Sequence, residues 1–411
     1  MGYTKPTPIQ AQSIPVLMQG RDLVGIAQTG TGKTAAFALP ILHRLLVDKR
    51  PAPRGGARAL VLSPTRELAS QIAQSFRDLS AGSSLKIAVV FGGVPHGAQI
   101  RALGEGLDVL VATPGRLVDH LDARVAHLGA VEFLVLDEVD QMLDLGFIKP
   151  IRRIVRDTPK TRQNLFFSAT MPPDIRALAG ELLRDPAEVS VTPVAKTADR
   201  VDQTVIFVDA ARKRDMLVEL FADAALSRTI VFTRTKHGAD RVAKTLDEAG
   251  ISARAIHGNK SQGQRVRALE SFRGGEARAL VATDIAARGI DIDGVTHVIN
   301  FELPEVAEAY VHRIGRTARA GRAGQAVSLV DGSERDSLRA IERLTRLRLF
   351  SIDRRGDKGP PPAPVVRKAE TPPERHHAPH HDARSPNQQP RRSRQNRRPR
   401  PAYQAKSAPA R

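Results

Sequence analysis

Two hydrophobic periods alternate along this chain. Leu23 to Ile26, Ala59 to Leu62, Ile87 to Phe91, Val109 to Ala112, Phe133 to Leu136 and Leu165 to Phe167 are short apolar runs that read as strands. Between them Ala35 to Leu46, Glu67 to Leu79 and Ile175 to Leu183 carry the 3.6-residue pattern of amphipathic helices. Strands apolar on both faces and separated by helices predict a parallel α/β sheet. The rhythm then restarts. Val205 to Val208, Thr229 to Phe232, Ala253 to Ile256, Ala279 to Ala282 and His297 to Asn300 alternate with helical stretches at Arg234 to Ala249 and Gly263 to Phe272. The stretch from Thr192 to Asp199 has neither period. The pattern therefore predicts two α/β domains, 1–192 and 203–350, joined by a linker at 193–202 and facing each other across a cleft.

Composition adds a third region. Of the 411 residues, 63 are Lys or Arg and 44 Asp or Glu, a formal charge of +19. Residues 351–411 hold 15 basic and 5 acidic side chains, so +10 of that charge sits in the last 61 positions, together with 12 of the 28 prolines. The run Arg391 to Arg398 contains no apolar residue. Such a segment cannot offset its own ordering entropy and is expected to be a disordered basic tail. It either keeps the protein solvated or tethers it to a polyanion by releasing counterions; one aromatic, Tyr403, leaves it no means of reading sequence by stacking. His376, His377, His380 and His381 could at most chelate a stray metal. The absence of cysteine excludes disulfides, thiolate zinc sites, iron–sulfur clusters and a cysteine nucleophile, and suggests a cytoplasmic setting. No apolar run is long enough for a membrane span, and the N-terminal residues show no secretory signal, so no membrane partner is expected.

The chemistry begins at Ala27-Gln28-Thr29-Gly30-Thr31-Gly32-Lys33-Thr34, between a predicted strand and a predicted helix. It fits the phosphate loop G-x-x-x-x-G-K-[ST], with Ala27 in place of the first glycine. Small residues let successive backbone N–H groups wrap a phosphate at a helix N-terminus, where the dipole favours anions. Lys33 would reach the β and γ phosphates of ATP, and the Thr34 hydroxyl would ligand Mg²⁺. Phe133-Leu134-Val135-Leu136-Asp137-Glu138 supplies the acidic complement. Asp137 would hold the magnesium, and Glu138 would activate the attacking water. Alone, two acids after an apolar run could merely open a helix; paired with Lys33 and Thr34, the catalytic reading prevails.

At Asp137-Glu138-Val139-Asp140 the chain resembles the DEAD-box RNA helicases of helicase superfamily 2, in particular their bacterial RhlE-like branch. The resemblance runs to about residue 350. It includes Pro6 to Gln10, Pro64 to Leu68, Gly92-Gly93, Thr113 to Arg116, Ser168-Ala169-Thr170, Gln262 with Arg265, Ala282 to Asp291 and His312 to Arg319. Together and in order, these segments are far more specific than any one of them.

The resemblance implies two RecA-like domains, ATP and Mg²⁺ as cofactors, and RNA as partner, with ribosomal or mRNA-decay complexes as possible settings for a monomer. It makes Gln10 the adenine-reading amide, adds Gly289 and Asp291 to the nucleotide contacts, and makes Arg316 and Arg319 finger arginines that reach the γ-phosphate from the second domain. It assigns the RNA backbone to Pro64, Thr65, Arg66, Gly93, Thr113, Pro114 and Arg116 in the first domain and to Arg234, Gln262, Arg265, Thr283 and Arg288 in the second. Hydroxyl, guanidinium and glycine N–H groups suit phosphate and 2′-OH contacts that ignore sequence. Ser168 and Thr170, directed towards Asp140 and His312, would couple the two ligands.

Two departures stand out. The family carries an aromatic upstream of the Gln10 equivalent to stack on adenine, and only nine residues precede Gln10 here, so that contact is expected to be missing. Val139 stands where the family has alanine, adding two methyl groups to a packed turn. The expected function is an ATP-dependent RNA helicase that separates duplexes locally or remodels RNA–protein complexes. The alternative is an RNA-binding chaperone or scaffold with a weak ATPase, acting mainly through its tail.

Overall fold

The computed structural model describes residues 4–28, 30–191, 201–287, 292, 294–318 and 324–356. The tail beyond 356, most of the expected linker, and Thr29, Arg288, Gly289, Asp291 and Arg319 lie outside the described residues. Fourteen strands form two sheets of seven among the described residues. The first lobe contains β1 (Leu23–Ile26), β2 (Ala57–Leu62), β3 (Ile87–Val90), β4 (Leu107–Ala112), β5 (Phe133–Leu136), β6 (Gln163–Ser168) and β7 (Ala187–Ser190). The second contains β8 (Val201–Phe207), β9 (Thr229–Thr233), β10 (Ala253–Ile256), β11 (Ala279–Thr283), β12 (His297–Asn300), β13 (Gly324–Val330) and β14 (Phe350–Asp353).

The sheet orders are β3-β4-β2-β5-β6-β1-β7 and β10-β11-β9-β12-β13-β8-β14, the same topology used twice. All pairings are parallel, as the doubly apolar strands predicted. Side chains alternate between faces. In the first lobe Leu60, Leu62, Leu134, Leu136 and Phe166 enter one core, and Ala59, Val61, Phe133, Val135, Leu165 and Phe167 the other. Two helical layers seal these faces. Gly25 is required inside β1 because a Cβ there would lie 2.5 Å from the Phe167 ring, which packs against Phe37 at 5.5 Å between centroids.

Three strands escaped the apolar pattern. β7 and β14 are half-exposed edge strands, so neither shows a continuous apolar run. β13 is mostly buried, but Gly324, Gln325 and Ser328 break its apolar run. β8 begins at Val201, inside the expected linker.

Candidate nucleotide site and nucleic-acid interface

The parallel topology places the C-terminal end of every strand of a sheet along one edge, where ligands of open α/β sheets gather. The loop after β1 leads into the helix Lys33–Val47 through Gly30 and Gly32, both left-handed, at φ 84° and 94°. At Gly32 a Cβ would meet the Gln10 amide nitrogen at 2.6 Å, so glycine is doubly required. Gln10 Nε2 donates to the Gly32 carbonyl at 3.1 Å, while its Oε1 accepts from Thr7 N–H at 2.9 Å. Its amide thus braces the loop as well as the start of its own helix. Thr31 Oγ1 donates to the Gln28 carbonyl at 2.8 Å, closing the turn. Thr34 is the second residue of the helix.

Lys33 is buried, and its Nζ donates to the Ala27 carbonyl at 2.9 Å and lies 3.8 Å from Asp137 Oδ1. Asp137 and Glu138 follow β5, the neighbour of β6, which itself adjoins β1. Burial raises the Asp137 pKa to about 6, with Lys33 pulling the other way. A carboxylate in that condition is short of positive charge. Glu138 adopts φ 54°, ψ 54°, a left-handed conformation that is strained in a non-glycine residue, before the helix Val139–Asp144. Val139 itself is fully buried.

Asp140 Oδ2 accepts from the backbone N–H groups of Ala169 and Thr170 at 3.1 and 3.2 Å and from Thr170 Oγ1 at 3.4 Å, so the expected link from the acidic motif to the end of β6 is present. Ser168 is fully buried and its hydroxyl has no hydrogen-bond partner among the described residues. Across from these groups, Gln28, Glu138, Asp140 and Ala169 of the first lobe share a narrow cavity of about 20 Å³ with His312, Gly315 and Arg316 of the second. Arg316 is buried and donates to the His312 carbonyl at 3.2 Å. Arg313, between them, turns inward instead: it grips Asp284 at 2.5 and 2.7 Å and donates to Asn300 and the Glu302 carbonyl.

The expected RNA-facing residues occupy the other half of the same edge. Pro64, Thr65 and Arg66 follow β2, Gly93 follows β3, and Thr113, Pro114 and Arg116 follow β4. Thr65 caps the helix Arg66–Leu79, its Oγ1 accepting from Leu68 N–H at 3.3 Å, and Thr113-Pro114 opens the helix Pro114–Asp122. Arg66 packs over Gly93, where a Cβ would lie 2.2 Å from its guanidinium, and Arg116 donates to the Val94 carbonyl at 3.0 Å. These three positions therefore converge. In the second lobe Arg234 follows β9, Gln262 and Arg265 open the helix after β10, and Thr283 ends β11. Those strands are the topological counterparts of β2, β3 and β4.

One contact crosses between the lobes with high definition. Arg265 Nε and Nη2 both donate to the Glu67 carboxylate at 2.8 Å, and both side chains are buried. Gln262 donates to Glu67 at 3.2 Å and accepts from Arg66 at 3.4 Å. Burial first, and then the nearby Arg265, lower the Arg66 pKa. Nothing in the sequence marked Glu67 for this role, since an acid in the first turn of a helix is already explained by the dipole.

The family pattern for the DEAD/DEAH box helicase matches residues 7–178, and that for the helicase conserved C-terminal domain matches residues 212–321. RNA helicase CrhR of Synechocystis is 45% identical over 83% of this chain and 68% of its own. This chain is a DEAD-box RNA helicase family member. The ATP-dependent RNA helicase DeaD of Mycobacterium tuberculosis is also 45% identical, over 84% of this chain but 60% of its own length. Among solved structures, Dbp5 of S. cerevisiae bound to RNA and ADP BeF3 superposes with a TM-score of 0.77 at 30% identity, covering 85% of this chain and 90% of that one. Mss116 bound to ssRNA and UDP-BeF superposes at 0.76 with 27% identity over 86% of this chain and 76% of its own. The DEAD-box fold of two tandem RecA-like domains is thus the one the paired sheets build. No helix among its described residues is long and apolar enough to cross a membrane.

Proposed function

We propose that this protein acts as an ATP-dependent RNA helicase that separates short duplexes locally, as a monomer in the cytoplasm, with a first lobe close to 1–192 and a second, expected at 203–350, that also takes in β8 from Val201 and β14 to Asp353. The observation that carries this reading is the division of the sheet edge. Groups suited to a triphosphate follow β1, β5 and β6, and groups suited to an RNA backbone follow β2 to β4 and their counterparts β9 to β11.

The residues fit ATP and Mg²⁺. Gly32 gives the loop its left-handed backbone at the helix N-terminus, Lys33 Nζ meets, among the described residues, the Ala27 carbonyl and more distantly the Asp137 carboxylate, and Asp137 is a buried acid with a raised pKa. Mg²⁺ asks for few protein ligands when phosphates and water supply the rest, so Asp137 and Thr34 suffice. ATP would supply negative charge between the lobes and a phosphoanhydride bond whose hydrolysis divides that charge between ADP and a phosphate that can leave.

In this reading Lys33 exchanges the Ala27 carbonyl for a phosphate. Glu138 accepts a proton from the attacking water, its strained backbone aiming the carboxylate into the cleft. Arg316 and Arg319 stabilise charge developing on the transferred group, and only from the second lobe, so chemistry depends on the lobes being together. Gln10 reads adenine through the remaining hydrogen-bonding capacity of its amide, and Gly289 and Asp291 complete the nucleotide contacts. Arg66, Gly93, Arg116, Arg234, Thr283 and Arg288 hold the strand. Arg265 and Gln262 act through Glu67, joining the RNA-facing halves of both lobes. Asp140, Thr170, Ser168 and His312 carry the signal between the two ligands. Ribosomal or mRNA-decay assemblies are the proposed setting.

The test is ATP hydrolysis with RNA, with DNA of the same sequence and with no nucleic acid. Strong stimulation by RNA and weak stimulation by DNA is expected, with strand separation requiring ATP. Equal hydrolysis in all three would sink the proposal.

A further inference from the structure

The second lobe ends in a feature that neither the nucleotide site nor the RNA-facing edge uses. The helix Arg335–Thr345 begins immediately after Glu334, the residue that accepts Arg234 Nη2 at 2.8 Å. It therefore starts beside an RNA-facing candidate and runs about 16 Å at 1.5 Å per residue. Arg339 and Arg343 repeat at one turn along it, and Arg346 and Arg348 continue past its end; all four are exposed. They line an open groove of about 810 Å³.

Ordinary stabilising roles account for these arginines only in part. Arg339 is 70% exposed and its partner Asp336 is 90% exposed, so that ion pair contributes little and is readily exchanged. Arg343 donates to the Arg339 carbonyl, and Arg346 and Arg348 make no ion pair among the described residues. The helix dipole favours cations in the last turn, which covers Arg343 but not Arg339 near the middle. Arg346 sits at φ 57° at the helix end, a position where glycine or asparagine is the easier choice. The two acids in the groove are committed locally, Asp336 to Arg339 and Glu342 to the Leu349 N–H at 3.0 Å. Beyond residue 356 the sequence continues with 13 basic and 4 acidic side chains. The helix that carries the groove thus starts beside the RNA-facing candidate Arg234, and the sequence that follows it is strongly basic.

We propose that Arg339, Arg343, Arg346 and Arg348 form an accessory track for the phosphate backbone of RNA lying outside the cleft, without regard to sequence. Guanidinium groups set one helical turn apart suit successive phosphates of a strand and have no base edges to read. This rests on RNA occupying the cleft, and the experiment separates the two ideas.

The full-length variant R339A/R343A/R346A is compared with a charge-matched control, R156A/R176A/R184A, on exposed arginines of the first lobe. Binding is measured with an RNA just long enough to fill the cleft and with the same RNA carrying a single-stranded or a duplex flank. The track predicts roughly tenfold weaker binding of a flanked RNA by the first variant alone, and a salt slope shallower by about 2 to 3. Cleft-length RNA should bind and stimulate ATPase as in the parent. The flank that shows the loss identifies whether strand or duplex uses the track. Equal losses in both triple variants, or none in either, overturn it. A parent protein whose ATPase ignores RNA would overturn the cleft reading, whereas a missing flank effect in a protein whose ATPase responds to RNA would overturn the track alone. Should the alanine variant unfold, R339Q/R343Q/R346Q carries the same expectation.

Discussion

The two lobes share one topology and treat the same position in opposite ways. In the first, the loop after β1 is rich in glycine and leads to Lys33 at the head of a helix; in the second, the segment after β8 is a glycine-free turn, Ala210–Arg212, leading to Lys213 at the head of a helix. Lys33 meets a loop carbonyl and, more distantly, Asp137. Lys213 is locked to Glu334 and lies 3.1 Å from Asp331, and Glu334 also accepts from Arg234 and the Leu303 N–H. One lysine is arranged so that a ligand phosphate can replace its partners; the other already has carboxylates in place. The fold supplies the station at the strand end, and the loop chemistry decides whether it binds a ligand or closes on itself.

The largest separation between the lobes should come from these lysines. Lys33→Ala is expected to abolish RNA-stimulated ATP hydrolysis with little change in thermal stability. Lys213→Ala should leave Glu334 short of a buried partner and cost roughly 3 kcal/mol, seen in denaturant unfolding. A stable Lys213→Ala protein would break the comparison.

Next is the contact that joins the lobes. Glu67→Gln and Arg265→Gln should each weaken RNA stimulation of ATPase, because each leaves a buried charge or dipole unmatched. In a double-mutant cycle the pair should show coupling of about 1 to 3 kcal/mol, read from RNA affinity in the presence of a non-hydrolysable nucleotide. Additive effects would mean that the pair does not act as a unit.

A pH experiment addresses the nucleotide half. With its pKa raised to about 6 in the folded chain, Asp137 opposes folding when ionised, so its cost is full above that pH and fades as pH falls towards the ordinary carboxylate value. Asp137→Asn should therefore stabilise the ligand-free protein at pH 7 to 8 by up to a few kcal/mol, and the gain should shrink below about pH 6. The same variant should lose Mg²⁺-dependent nucleotide binding at every pH. A gain that grows on acidification would contradict the assignment.

The smallest effect is expected at Val139. It is fully buried in the core, so Val139→Ala should cost about 1 kcal/mol of stability through lost packing and change turnover only modestly. Complete loss of ATPase would show that this turn is tuned more finely than its packing suggests.

Much of this was readable before any coordinates. The continuous apolar runs of β2, β4, β5 and β9, the helices between them and the phosphate loop are local patterns, because strand burial and anion binding at a helix N-terminus depend on neighbouring residues. Edge strands β7 and β14 were not readable, since partial exposure erases the apolar run. Neither was the destination of the arginines. Arg265, expected to face RNA, clasps Glu67 across 198 residues, Arg313 turns into its own lobe, and Arg316 reaches the cavity. A guanidinium pairs with whatever carboxylate or carbonyl the fold brings within about 3 Å. The sequence by itself determined where each sheet edge would carry phosphate-binding and acidic chemistry. Only the tertiary structure decided which charges meet across lobes, because that pairing depends on strand order rather than on residue spacing.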